Sequence, residues 1–182
     1  ELPVLALPLD FPRPPVQQFA GHSFDFVLEP EFAGPLKDIA VAGGATVYMI
    51  LLALFNVLMS KLSGQEDIIV GTPVAGRGHA DLEEIIGMFV NTLALRQFPE
   101  KKKTFYSFLG EVAEHTVAAF DNQDFQFEDL VEKVYHWRDR SRNPLFDVMM
   151  VLQNLVDVPQ KARANETPKN APPTKEEESK QD

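Results

Sequence analysis

Hydrophobic positions recur along the chain with two different periods, and the places where one gives way to the other predict its elements. "TVYMILLALFNVLMSKLSG" (46–64) is the strongest helix. Thr46 can cap its start, Lys61 suits the C-terminal dipole, and Gly64 supplies the stop. "TFYSFLGEVAEHTVAAF" (104–120) places Phe105, Phe108, Leu109, Val112 and Thr116 at helical spacing behind the cap Thr104. "FEDLVEKVY" (127–135) repeats the pattern with Phe127, Leu130, Val131, Val134 and Tyr135, and opens with acids. "EFAGPLKDIAVAGG" (31–44) predicts a weaker helix, interrupted by Pro35 and ended by Gly43 and Gly44.

The other period is two. "IGMFVNTLALR" (86–96) puts Gly87, Phe89, Asn91, Leu93 and Leu95 on one face and Met88, Val90, Thr92 and Ala94 on the other. Both faces are otherwise apolar, as in a strand covered on both sides. "DIIVGTPVAGR" (67–77) predicts a buried strand running into a glycine-containing loop, and "NPLFDVMMVLQ" (143–153) a third long apolar strand. "HSFDFVLE" (22–29) alternates like an edge or half-buried strand. Helices mixed with two-sided strands predict an α/β layered domain over 22–156. Proline-rich residues 1–21 read as an extended connector. The stretch 157–182 is polar, proline-containing and without period, so it is expected to be a disordered tail.

Two polar residues break the apolar strands. A buried amide left without partners costs on the order of 1–3 kcal/mol, so Asn91 needs either an opening or hydrogen-bonding neighbours. Asp147 shares a face with Leu145, Met149 and Val151, and its carboxylate needs a cation; Arg138 and Arg142 lie just upstream. Such a pair would pin "RDRSRNPL" (138–145) to the strand.

Composition narrows the picture further. With 45% hydrophobic and 10% aromatic residues in 182, the chain can bury a sizeable core. A net charge of -10 argues against a partner that tracks phosphates, so no nucleic acid is expected. The absence of cysteine excludes disulfides and thiolate metal sites and suits a cytoplasmic setting. "VYMILLALFNVLM" (47–59) is too short for a bilayer span of roughly 20 residues and carries Asn56, so no membrane is expected.

Familiar catalytic constellations are missing. "GTPVAGRG" (71–78) lacks the lysine and spacing of a phosphate-binding loop, and there is no G-x-S-x-G elbow. His22, His79, His115 and His136 are scattered with no common ligand set, so no metal is expected. His79, beside Arg77 in a loop, is the better general-base candidate of the four, and His115 reads as a surface residue beside Glu111.

"IGMFVNTLALR" (86–96), "NQDFQFEDLV" (122–131) and "RDRSRNPLFDVMMVLQN" (138–154) resemble, in order and spacing, the last three signature motifs of nonribosomal peptide synthetase condensation domains. "LSGQEDIIVGTPVAGR" (62–77) and "LPLDFPRPPVQQFAGHSF" (7–24) resemble the intervening segments. The style is that of bacterial lipopeptide or peptide-antibiotic synthetases such as surfactin synthetase. The resemblance implies a chloramphenicol-acetyltransferase-like fold of two lobes facing each other across a tunnel. Carrier proteins bring a donor thioester from one side and an acceptor aminoacyl thioester from the other on phosphopantetheine arms. No cofactor would be bound directly.

The family's HHxxxDG motif belongs to the first lobe, and no adjacent histidine pair occurs here. The resemblance therefore implies the C-terminal lobe, without activity by itself and with no catalytic residue of its own. Its partners would be the N-terminal lobe, peptidyl carrier proteins and an adjacent adenylation domain. An alternative is a non-catalytic remnant or carrier-protein-binding module. Gly87, Phe89, Asn91 and Thr92 are implied to line the tunnel, although Asn91 can equally tie its strand to a neighbouring loop. Asn122, Gln123 and Asp124 are expected to cap the helix at 127–135. Arg138, Asp139, Arg142, Asn143 and Asp147 are expected to build a structural charge network. An uncovered inter-lobe face would promote self-association.

Overall fold

A computed structural model describes residues 2–78, 80–82, 84–135 and 139–153. Expectations for His79, His136, Arg138 and the tail from Asp157 fall outside the described residues. The compact unit that holds every element described below ends at Val151.

Helix α1 (Pro30–Ala42) begins with proline at its first turn and runs on through Pro35, where a break was expected. Both Pro35 and Glu31 are exposed, so the helical bond that proline cannot make leaves a carbonyl to water. The chain turns by 102° into α2 (Val47–Ser63). The Thr46 hydroxyl accepts from the Met49 N–H at 3.3 Å, and Gly64 ends the helix in the left-handed region at φ 75°. Among the described residues no single helix is long and apolar enough to cross a membrane.

Strand β1 (Ile68–Val74) is central in a three-stranded sheet of order β2-β1-β3. It pairs antiparallel with β2 (Asn91–Gln97) along its whole length, Ile68 opposite Gln97 and Val74 opposite Asn91. A 3-10 turn (Ala80–Leu82) lies between them. Helix α3 (Phe105–Asp121) follows, its Ser107 N–H capped by the Thr104 hydroxyl at 3.2 Å. Helix α4 (Phe127–Val134) comes next, and then β3 (Val148–Met149).

Two expected strands are altered. Only Val148 and Met149 of the 143–153 stretch join the sheet, parallel to Val70 and Gly71, with the Met150 N–H donating to the Gly71 carbonyl at 2.9 Å. The next donor in that register would be residue 73 of β1. It is a proline with no N–H, so the parallel ladder stops there. Residues 22–29, expected as an edge strand, form no regular element and are exposed throughout.

The two faces of the sheet are covered unequally. On the first, Ile68, Val70, Leu93 and Leu95 pack against α2 and α3, whose Ile50, Leu52, Leu109 and Val112 are fully buried. On the second, Ile69 packs with Leu145 and Phe146, and α4 adds Phe127, Leu130 and Val131. The Phe146 ring lies directly on Gly71, where an added Cβ would meet its ring atoms at 2.5 Å. β1 is thus buried on both faces. β2 is buried on the first and half-covered on the second, short of the two-sided burial its sequence predicts.

Candidate functional site

The residues singled out by the sequence do not share one face: Asn91 shares the strand face of Leu93 and Leu95, and Thr92 and Asp147 belong to the other. Asn91 opens β2 and is 5% exposed. Its amide nitrogen donates to the carbonyls of Gln123 at 2.7 Å and Phe125 at 2.9 Å. Its carbonyl oxygen accepts from the backbone N–H of Thr92 at 2.8 Å and of Phe127 at 3.1 Å. Both donors and the acceptor are therefore engaged by backbone, and nothing is left to offer a substrate. The side chain ties its strand to the 123–127 turn, using its hydrogen-bonding groups within the chain.

That tie also explains how α4 starts. Its N-cap residue, Gln126, makes no side-chain capping bond, and Phe127 is the first helical residue. Asn91 thus satisfies from a distance one of the first-turn N–H groups that have no partner within the helix. Glu128 and Asp129 in the first turn complement the helix dipole. The expectation that Asn122, Gln123 and Asp124 cap this helix is corrected. Asn122 is the C-cap of α3 and donates to the Ala118 carbonyl at 2.8 Å. Gln123 supplies a carbonyl to Asn91, and Asp124 supplies one to the Gln126 amide at 3.2 Å.

A second polar cluster holds the N-terminal segment to the 139–147 loop. The Asp147 side chain, 8% exposed, lies 3.2 Å from the Arg13 guanidinium and 3.3 Å from that of Arg142. Arg142 also pairs with Asp139 at 3.2 Å. Arg13 donates to the Ser141 carbonyl at 3.3 Å, and the Gln17 N–H donates to the Arg140 carbonyl at 2.9 Å. Hydrogen bonds from Ser141 hold the Asp139 carboxyl below its ordinary range. Asn143 accepts from the Leu145 N–H at 3.1 Å and so shapes the turn that delivers Leu145 and Phe146 to the second face. Asp139, Arg142 and Asp147 thus meet in one network, beside which Asn143 shapes the turn, and Arg13 is the member that sequence reasoning misses. Its distance along the chain leaves no local signal.

The third piece is the loop from 75 to 90. The Arg77 guanidinium donates to the carbonyls of Leu82, of Ile85 at 2.9 Å and of Gly87 at 3.3 Å. It also stacks over the Phe89 ring at 4.5 Å. Gly76, at φ 62°, allows this fold: an added Cβ would stand 1.8 Å from the Phe89 carbonyl oxygen. The carbonyl of Gly87 and the ring of Phe89 are therefore part of a clasp around Arg77. Thr92 is half-buried on the second face opposite Pro73. From this clasped loop Ile86 and Met88 project, Met88 at 93% exposure, with Ile85 and Val90 beside them in the chain and also exposed.

His115 is exposed, and its Nδ1 lies 3.0 Å from Gln97 Oε1. Among the described residues no group of three or more His, Asp or Glu side chains is placed to hold a metal.

A family model described as the condensation domain matches residues 1–182. Tyrocidine synthase 3 of Brevibacillus parabrevis is 58% identical over 154 residues, which are 85% of this chain and 2% of that protein. Gramicidin S synthase 2 of Brevibacillus brevis is 54% identical over 155 residues, 85% of this chain and 4% of that protein. A solved structure of a holo four-domain nonribosomal peptide synthetase bound to AMP and glycine matches with a TM-score of 0.82 at 35% identity. That match covers 84% of this chain and 12% of the other. The chain thus spans only 2% and 4% of the lengths of these two curated relatives.

Proposed function

The chain belongs to the condensation-domain family and has its chloramphenicol-acetyltransferase-like α/β fold, and from that premise we propose that it is the C-terminal lobe of a peptide-bond-forming condensation domain. In the reaction, the amine of an acceptor aminoacyl thioester attacks the carbonyl of a donor thioester. A C–N bond forms, the C–S bond breaks, and the donor carrier's thiol leaves. The histidine that positions or deprotonates the attacking amine belongs to the HHxxxDG motif, which these 182 residues do not contain, so this lobe supplies wall and docking surface. The phosphopantetheine arms arrive on carrier proteins, and an adenylation domain supplies the acceptor. Cytoplasmic chemistry suits a chain without cysteine.

The observation that carries this reading is the loop 85–90. Arg77 clasps its backbone firmly, yet its apolar side chains point into solvent. Ordering a loop in order to expose apolar groups makes physical sense when another surface covers them. We assign that surface to the first lobe, with Gly87, Phe89 and Thr92 facing the tunnel and Asn91 behind them. Left uncovered, the same face favours self-association.

Mixing the separately produced first lobe with this chain and assaying dipeptidyl thioester tests the reading. The pair should form product, and neither lobe should do so alone. A pair that binds but makes nothing, where an intact domain works, would overturn it. Saturable binding of labelled carrier protein without complementation would favour the non-catalytic binding module.

A further inference from the structure

A cleft of about 380 Å3 lies on the first-face side of the molecule, between the last turn of α2 and the first turn of α3. Its walls are apolar: Val57, Pro99, Phe105 and Phe108. Its rim carries Lys61 and Lys101, and among the described residues neither has a carboxylate within ion-pair distance. The neighbouring lysines are already engaged, Lys102 with Glu100 at 2.9 Å and Lys103 with Glu111 at 2.6 Å. Glu100, the carboxylate in the wall, is held by both Lys102 and Lys103.

Two further features point the same way. The first turn of α3, a helix of 17 residues, contains no acidic side chain, so its positive end is uncompensated there. Ser60, only 7% exposed, lines the cleft, and among the described residues its hydroxyl has no hydrogen-bond partner. A hydroxyl that opens to the cleft without a partner in the chain is available to whatever occupies the cleft.

We propose that this cleft binds an amphipathic carboxylate, its head between Lys61, Lys101 and the Ser60 hydroxyl, and its unbranched apolar tail against Val57, Phe105 and Phe108. At roughly 30 Å3 per water-sized group, the space suits about a dozen non-hydrogen atoms, the size of a medium-chain acyl acid. The site is independent of the inter-lobe face and of the condensation chemistry.

Titrating the full chain with octanoate, and separately with inorganic phosphate, while following backbone amide signals by NMR tests this. Octanoate should saturate, moving signals from residues 57–61 and 99–108, and phosphate should bind the same residues more weakly. The Lys61→Met/Lys101→Met double variant, which alters exposed side chains only, should weaken octanoate by about fivefold or more. Val57→Phe should weaken octanoate but not phosphate. The proposal fails if octanoate does not saturate, if the shifts fall elsewhere, or if the double variant binds unchanged. It also fails if phosphate binds as tightly as octanoate.

Discussion

The first face of the sheet is held by apolar burial and the second by polar pins. On the first, fifteen buried residues from α1, α2, α3, the strands and the N-terminal segment form one continuous cluster. On the second, three buried hydrophobics do that work; Arg142 and Asp147 fix the loop that delivers two of them, and Asn91, reaching from the end of β2, fixes the start of α4. The difference separates two jobs. Apolar contact is non-directional and favours a stable core, whereas hydrogen bonds from a single amide dictate where α4 begins. The second face is also where the motif segments converge, so position there matters more than bulk stability.

The comparison breaks most readily from the first side. Leu109→Ala removes a fully buried side chain from the larger cluster and should cost about 2–5 kcal/mol. Urea unfolding should show that loss as a lower midpoint with an unchanged slope. A loss below about 1 kcal/mol would mean the first face is not the stabilising one.

Gly71→Val asks how tightly the second face is packed. The new side chain must displace the Phe146 ring, at a cost of about 1–3 kcal/mol. Near-ultraviolet circular dichroism should register the disturbed Phe127–Phe146 pair, whose centroids lie 5.7 Å apart. An unchanged spectrum and midpoint would show a looser layer than described.

Arg13→Met sharpens the comparison. Asp147 keeps Arg142, so global stability should fall by about 1 kcal/mol or less, while the segment around Arg13 and Gln17 comes loose. Limited proteolysis should cut residues 10–20 faster, and an unchanged rate would remove Arg13 from the network.

The smallest effect concerns pH. The folded Asp139 carboxyl sits below its ordinary value, so its contribution is present above the unfolded value and is lost as pH falls through the folded one. Asp139→Asn should lower stability slightly near neutrality and flatten the acid side of the profile, with variant and parent converging as pH falls through the folded value. Equal slopes for variant and parent below the usual carboxylate range would contradict this.

The same division governs what can be read from the sequence. Helices α2 and α3 are legible because their signals are local: Thr46, Gly64 and Thr104 act within a few residues of themselves. Pro35 misleads because a single missing bond at an exposed position is tolerated. The sequence overstates β3 because the residue that stops its ladder, Pro73, lies on a different strand. The alternation from Ile86 suggests too early a start for β2, since those first residues instead wrap Arg77. Asn91 stands out as a polar intruder, but its partners lie 32 to 36 residues away and no periodicity points to them. The pairing of Arg13 with Asp147 is hidden for the same reason.

Amide hydrogen exchange on Asn91→Ala tests the polar-pin account most directly. The variant leaves the Phe127 N–H and the carbonyls of Gln123 and Phe125 without their side-chain partner, a local cost of about 1–3 kcal/mol. Protection should fall across 123–134 while the β1–β2 ladder and α3 exchange as slowly as before. Unchanged protection in α4, or an equal loss across both faces, would contradict the division of labour between them.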